Sequence, residues 1–146
     1  MRDFGAIGNG ISFAVGVAAA RKDGKTVLFE GDGSLLMHIQ ELEAIKRHGL
    51  KLLICVLNDG AYGSEIHKLR ADGLDDSGSV FGRTDLASIA KGFGLRGATV
   101  TDLADLKPLF EQYEKQDTAE LWNIHISDQV VNPGTRRALK IGHGRM

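Results

Sequence analysis

The sequence is poor in cysteine, in excess charge of either sign and in long apolar runs, and each scarcity excludes something. Cys55, inside "LKLLICVLN", is the only cysteine of 146 residues. A single thiol can neither close a disulfide within the chain nor build a thiolate metal site, and it fits a reducing, cytoplasmic setting. With 18 basic and 19 acidic residues the formal net charge is -1. Nothing in that balance tracks a nucleic-acid backbone or an anionic bilayer, so neither is expected as a partner. No apolar run is long enough to span a bilayer. "ISFAVGVAAARK", residues 11 to 22, has the apolar core and small residues of a signal peptide, but Asp3 offsets Arg2 and a Gly-Asn-Gly turn interrupts the approach. It is read instead as a buried helix starting near Ile11.

Glycine is abundant: the 19 glycines are about twice the ordinary share. They follow no period and punctuate separate segments, so they mark element ends. At 15.7 kDa and 42% apolar residues the chain has the size and composition of one globular domain with a real core. The domain is expected over residues 1–133, with a tail over 134–146 that carries no structural signal.

The local patterns alternate between strand and helix. "KTVLFEGDG" contains a short strand, Thr26 to Phe29, without polar alternation, as in sheets covered on both faces. From Ser34 a helical stripe of Leu35, Ile39, Leu42 and Ile45 runs to Gly49. "LKLLICVL" is the next buried strand, so strand, helix and strand form a right-handed parallel unit. Residues 68–84 read as a long polar loop. A helix with the stripe Leu86, Ile89, Ala90 and Phe93, the short strand "GATV", a helix over 102–115 that Pro108 starts or kinks, and the alternating strand "ELWNIHIS" complete the order. The expected fold is α/β: a parallel sheet with helices on both faces.

In "FEGDGSLLM", residues 29–37, a carboxylate stands between two glycines where a strand hands over to a helix. Glycine permits a sharp turn and close approach to a ligand, and free N–H groups at a helix start attract an anion. Asp32 is a negative charge in such a place, so a metal ion is expected between it and the anion. The next strand ends in "NDGAYG". Ligands of open parallel sheets bind beyond the carboxyl ends of the strands, so Asp32 and Asp59 are expected to converge on one crevice. Hard oxygen ligands suit Mg²⁺ or Ca²⁺, and Mg²⁺ commonly joins one or two carboxylates to phosphate oxygens. A diphosphate held through a metal is the ligand class this predicts. Each loop alone is an ordinary turn sequence; the pair at the ends of adjacent strands points to a site. An EF-hand is a poor rival, because Asp32 lacks ligands two and four positions on. A nucleotide-binding or flavodoxin-like domain is disfavoured, because no GxGxxG or P-loop follows a strand. The five histidines, His38, His48, His67, His125 and His143, show no metal-ligand spacing.

"GDGS" followed by "LNDGAYG" resembles the thiamin diphosphate fingerprint, a Gly-Asp-Gly followed by an Asn doublet. "GAIGNGISFAVGVAAA" is similar to the loop and helix before that fingerprint, and "DLASIAKGFGLRG" to the helix after it. The resemblance covers residues 5 to about 133. It is to the C-terminal, diphosphate-binding domain of the acetolactate synthase, benzoylformate decarboxylase and pyruvate decarboxylase group. It implies thiamin diphosphate and Mg²⁺ as cofactors and a small 2-oxo acid as substrate. Carried over, Asp32, Asp59 and the Ala61 carbonyl are the metal ligands; Asn58 with the Gly60 carbonyl is the alternative if the register shifts by one. Asp59 departs from the family's second Asn but keeps an oxygen ligand. Gly31, Gly33, Ser34, Asn58, Tyr62 and Gly63 match residues that hold the cofactor, and Ile7 matches the aliphatic wedge that bends it. Glu65 falls where relatives vary the residue that approaches the substrate, and a glutamate there could move protons. The reading of Glu65 as a solvated first-turn glutamate stands beside it. The resemblance also implies a homo-oligomer and a pyrimidine-binding domain, on the same or a neighbouring chain, that this sequence does not contain. The chain is therefore expected to be a fragment of a longer enzyme and to have little turnover alone. A noncatalytic metal-diphosphate binding module, or a natural half-subunit needing a separate pyrimidine-domain partner, is the alternative.

Overall fold

The computed structural model describes residues 5–21 and 23–139. Four strands form one parallel sheet: β1 (Thr26–Gly31), β2 (Leu52–Asn58), β3 (Arg96–Val100) and β4 (Glu120–His125), in the order β1-β2-β4-β3. Thr26 pairs with Leu52, Leu53 with Glu120, and Arg96 with Glu120. The helices are α1 (Asn9–Ala20), α2 (Asp32–Met37), α3 (Glu41–Arg47), α4 (Gly63–Ala71), α5 (Leu86–Gly92), α6 (Leu106–Glu114) and α7 (Pro133–Ala138).

Handedness explains which face each helix takes. The steps β1 to β2 and β2 to β3 run one way across the sheet, and the step β3 to β4 runs back. Right-handed crossovers then place α3 and α5 on one face and α6 on the other. The two cores agree. Leu42, Ile45, Leu86 and Ala90 pack with Ile54, Val56 and Leu121 on the first face, together with Ile11 and Ala14 of α1. Leu53, Cys55, Trp122 and Ile124 pack with Tyr113, Leu106 and Leu109 on the second.

Several expectations need correction in detail. The single helix from Ser34 is two helices separated by His38–Gln40. The junction tightens to three-residue hydrogen bonds, Glu41 N–H to the His38 carbonyl and Leu42 N–H to the Ile39 carbonyl. Spacings of three survive that tightening, so Leu35, Leu42 and Ile45 are all buried. The polar segment expected to be loop from residue 68 is helical to Ala71. Pro108 sits in the first turn of α6, where its missing N–H has no intrahelical partner to lose. β4 has no wetter face: it lies between β2 and β3, and Glu120 and Asn123 are buried in it. β1, conversely, is left open on the face that α6 takes: Val27 and Phe29 are exposed and share an apolar groove with Leu106 and Phe110 of α6. The tail expected beyond residue 133 contains α7, begun by Pro133 after an Asn132 cap whose Oδ1 accepts the Thr135 N–H at 2.9 Å. The segment resembling a signal peptide folds as α1. His143 and residues 140–146 lie outside the described residues.

Candidate functional site

β1, β2 and β4 are consecutive in the sheet, so their carboxyl ends open on the same side. A cleft of about 670 Å³ lies there. Ile7, Gly31, Asp32, Gly33, Ser34, Asp59, Ala61, Tyr62, Gly63 and Glu65 all line it, which gathers ten of the eleven residues singled out from sequence.

Asp32 is the first residue of α2 and is 2% exposed. Its Oδ1 accepts the Gly33 N–H and its Oδ2 accepts the Gly60 N–H, both at 2.9 Å. One carboxylate thus fastens the end of β1 to the loop after β2. Burial pushes its pKa above the ordinary carboxylate value; the two amides oppose that rise, and the charge of Asp59 adds to it. Asp59 Oδ1 accepts the Ala61 N–H at 3.1 Å, and its Oδ2 is packed against the Gly63 Cα, leaving no room for a side chain there. Gly33 is constrained in the same manner: a Cβ would stand 2.7 Å from two ring carbons of Tyr62. Tyr62 packs edge-on against Phe81, with ring centroids 5.1 Å apart. The loop carrying Phe81 is strapped down by a bridge between Ala61 and Val80 and by Phe81 N–H to the Gly60 carbonyl at 3.0 Å.

Asn58 is placed differently from the expectation that it touches the cofactor. It is fully buried beneath the cleft. Its Nδ2 donates to Asn123 Oδ1 at 2.8 Å and to the Thr84 carbonyl at 3.1 Å. It braces the floor, and Asp59 is the residue of the pair that faces the cleft. Ser34 also differs: its hydroxyl hydrogen goes to Glu30 Oε1 at 2.6 Å and is not free for a phosphate oxygen. Glu65 stands in the first turn of α4, half exposed, and accepts from Lys68 Nζ at 2.8 Å.

Three carboxylates, Asp32, Asp59 and Glu65, line the cleft, and among the described residues no lysine or arginine lines it. An anion entering there meets the charges of these carboxylates, whereas a divalent cation between Asp32 and Asp59 offsets both charges and offers open positions to phosphate oxygens. No group of three or more His, Cys, Asp or Glu side chains disposed around a metal occurs among the described residues. Two carboxylates, a carbonyl and a ligand's own oxygens is the donor set that remains, and it suits Mg²⁺.

Sequence reasoning missed one wall of the cleft. Val130, Asn132 and Thr135 close the cleft from the segment after β4. The Asn132-Pro133 pair carried a readable signal, a helix cap followed by proline at the first helical position.

Comparison with known proteins bears on this geometry. Residues 2–123 match the family model described as "Thiamine pyrophosphate enzyme, C-terminal TPP binding domain". The chain is 29% identical over 148 aligned positions to the acetolactate synthase isozyme 1 large subunit of Escherichia coli, covering 94% of this chain and 26% of that one. It is 26% identical to the acetolactate synthase large subunit of Parasynechococcus marenigrum, covering 94% and 24%. Among solved structures, the thiamine diphosphate-dependent 4-hydroxybenzoylformate decarboxylase of Rhodococcus jostii superposes with a TM-score of 0.72 at 28% identity, over 83% of this chain and 23% of that one. The chain thus spans about a quarter of the length of these relatives.

Proposed function

The chain belongs to the thiamine pyrophosphate enzyme family, as its C-terminal TPP-binding domain, and on that premise we propose that its cleft holds thiamin diphosphate through Mg²⁺ within an enzyme that decarboxylates or carboligates 2-oxo acids. The observation that carries this reading is the pair Asp32 and Asp59 facing one cleft from adjacent strand ends, with no lysine or arginine lining it among the described residues. A diphosphate needs a metal in such surroundings. Asp32, Asp59 and the Ala61 carbonyl are the ligands proposed for it. Gly33 and Gly63 keep the cleft open beside those carboxylates, and Tyr62, wedged between Gly33 and Phe81, walls it.

Thiamin diphosphate, when bound, supplies the electron sink for decarboxylation of a 2-oxo acid. The protein's part is to bind, orient and exclude water. Ile7 presents an aliphatic side chain to the cleft. Glu65, steadied by Lys68, is the candidate for holding or moving a proton at the substrate side. His67 lines the same rim.

The open side of the cleft calls for a partner, and a pyrimidine-binding domain, on the same or a neighbouring chain of a homo-oligomer, is the one we propose. α1 supports this. It is apolar on every side, yet Phe13 and Val17, one turn apart, are 55% and 49% exposed. A helix apolar all round is a buried helix, so α1 awaits a cover. We place the protein in the cytoplasm, in keeping with its single buried thiol; among the described residues no helix is long and apolar enough to cross a membrane.

The test is CO₂ release from a series of 2-oxo acids by the full-length protein with thiamin diphosphate and Mg²⁺. Turnover that falls about 100-fold or more in Glu65→Gln with unchanged cofactor affinity agrees with the assignment. Cofactor binding without turnover on any 2-oxo acid, even with a pyrimidine-domain partner added, favours the noncatalytic binding module instead.

A further inference from the structure

The loop that brings Ile7 to the cleft is held by a clamp on both backbone polar groups of one residue, Gly8. Gly8 donates its N–H to Ser34 Oγ at 2.8 Å, and Ser34 donates in turn to Glu30 Oε1 at 2.6 Å. On the other side of the same residue, His38 Nδ1 stands 2.9 Å from the Gly8 carbonyl oxygen. A carbonyl only accepts, so Nδ1 carries the hydrogen. Gly8 has φ 97°, and a Cβ there would lie 2.7 Å from both His38 Nδ1 and Met37 Cβ. Only glycine lets the clamp close. Two residues further on, a Cβ at Gly10 would lie 2.6 Å from Glu30 Oε1, so the carboxylate rests directly against the start of α1.

Glu30 is 8% exposed, and its Oε2 has no hydrogen-bond partner. A carboxylate buried on those terms weakens the fold, so its place in the clamp calls for a purpose other than stability. The metal-side bonds are separate: Asp32 is held by the Gly33 and Gly60 amides, neither of which belongs to the clamp.

Building on the thiamin diphosphate reading above, we propose that Glu30 and His38 are positioning residues that act through Gly8 to set how far Ile7 projects into the cleft. They govern the fit of the organic part of the cofactor and leave the metal-diphosphate end unchanged. The prediction is therefore a discrimination between two ligands, which a general loss of structure does not produce.

The experiment titrates thiamin diphosphate and inorganic diphosphate, each with Mg²⁺, into the full-length protein and its Glu30→Ala, Glu30→Gln, His38→Ala and Asp32→Ala variants. Affinity for thiamin diphosphate falls about tenfold in Glu30→Ala and His38→Ala, while inorganic diphosphate binds within about twofold of the parent in His38→Ala and no more weakly than the parent in Glu30→Ala, which frees the Ser34 hydroxyl. Glu30→Gln retains thiamin diphosphate, because its amide oxygen still accepts from Ser34. His38 is only partly buried, so its variant preserves the readout if Glu30→Ala fails to fold. Equal losses for the two ligands, or no loss for either, overturn the clamp. Asp32→Ala reports on the underlying reading by itself: loss of both ligands there upholds the metal site whatever the clamp variants do, and a parent that binds neither ligand removes both claims.

Discussion

Gly63→Ala separates folding from binding. Gly63 opens α4 with an ordinary negative φ, so alanine meets no backbone strain there. Replacing glycine by alanine inside a helix is worth up to about 1 kcal/mol, and less in the first turn. The new Cβ, however, enters the space occupied by Asp59 Oδ2. The carboxylate must rotate away and surrender its bond from the Ala61 N–H, a loss of about 0.5–1.5 kcal/mol. The two effects oppose each other, so stability changes by no more than about 1 kcal/mol, a Tm shift within about 5 °C for a domain of this size. Binding has no such compensation. Asp59 is one of two carboxylates proposed for the metal, and misdirecting a ligand typically lowers affinity about 10- to 100-fold. Thermal melting without ligand, followed by titration of thiamin diphosphate at fixed Mg²⁺, measures the two quantities on one sample. Parental affinity at parental Tm refutes the placement of Asp59 at the metal. A collapse in Tm shows that the contact serves folding.

Three further outcomes follow from buried groups. Asn58→Leu leaves Asn123 Oδ1 without its donor under the cleft, while the Thr84 carbonyl keeps the Leu86 N–H, and urea unfolding should show a loss of about 1–3 kcal/mol. Tyr113→Phe removes a buried hydroxyl that has no partner while keeping the ring beneath Lys25 Nζ, 4.4 Å from its centroid; urea unfolding should find it neutral or stabilising by about 1 kcal/mol. Burial raises the Cys55 thiol from 9.0 to about 11 and the Tyr113 phenol from 10.0 to about 12. Both groups fold in their neutral form, so their contribution is complete below pH 9 and is lost as pH climbs through 11 and 12. An alkaline melt should show a steep fall above pH 9, shallower in Tyr113→Phe, with Cys55 unreactive to alkylating reagents until the chain unfolds.

The placement of the site was legible because it depends on strand ends. "GDGS" and "NDGAYG" close two parallel strands, and parallel pairing carries Asp32 and Asp59 to one side whatever the helices do. The break between α2 and α3 was not legible, because Leu35, Leu42 and Ile45 keep spacings that α-helical and tighter turns both satisfy. Asn58 and Asp59 could not be told apart from sequence, since strand alternation decides which enters the core, and the last residue of the strand has to be known first. The burial of Glu120 and Asn123 was hidden for a similar reason: alternation in "ELWNIHIS" reads as a wet face until β3 is found beyond β4. Glu30 escaped notice because it reaches Gly8 only through Ser34, which stands on a different element. The exposed side of β1 was equally invisible, because an apolar strand does not announce which of its faces is left open.

The central claim is that Asp32 and Asp59 bind a diphosphate cofactor through a divalent metal. Calorimetric titration of thiamin diphosphate into the full-length protein, with and without Mg²⁺ and beside the Asp32→Ala and Asp59→Ala variants, tests it most directly. Binding should require Mg²⁺ and disappear in both variants. Binding that persists without a divalent metal, or survives both substitutions, contradicts it.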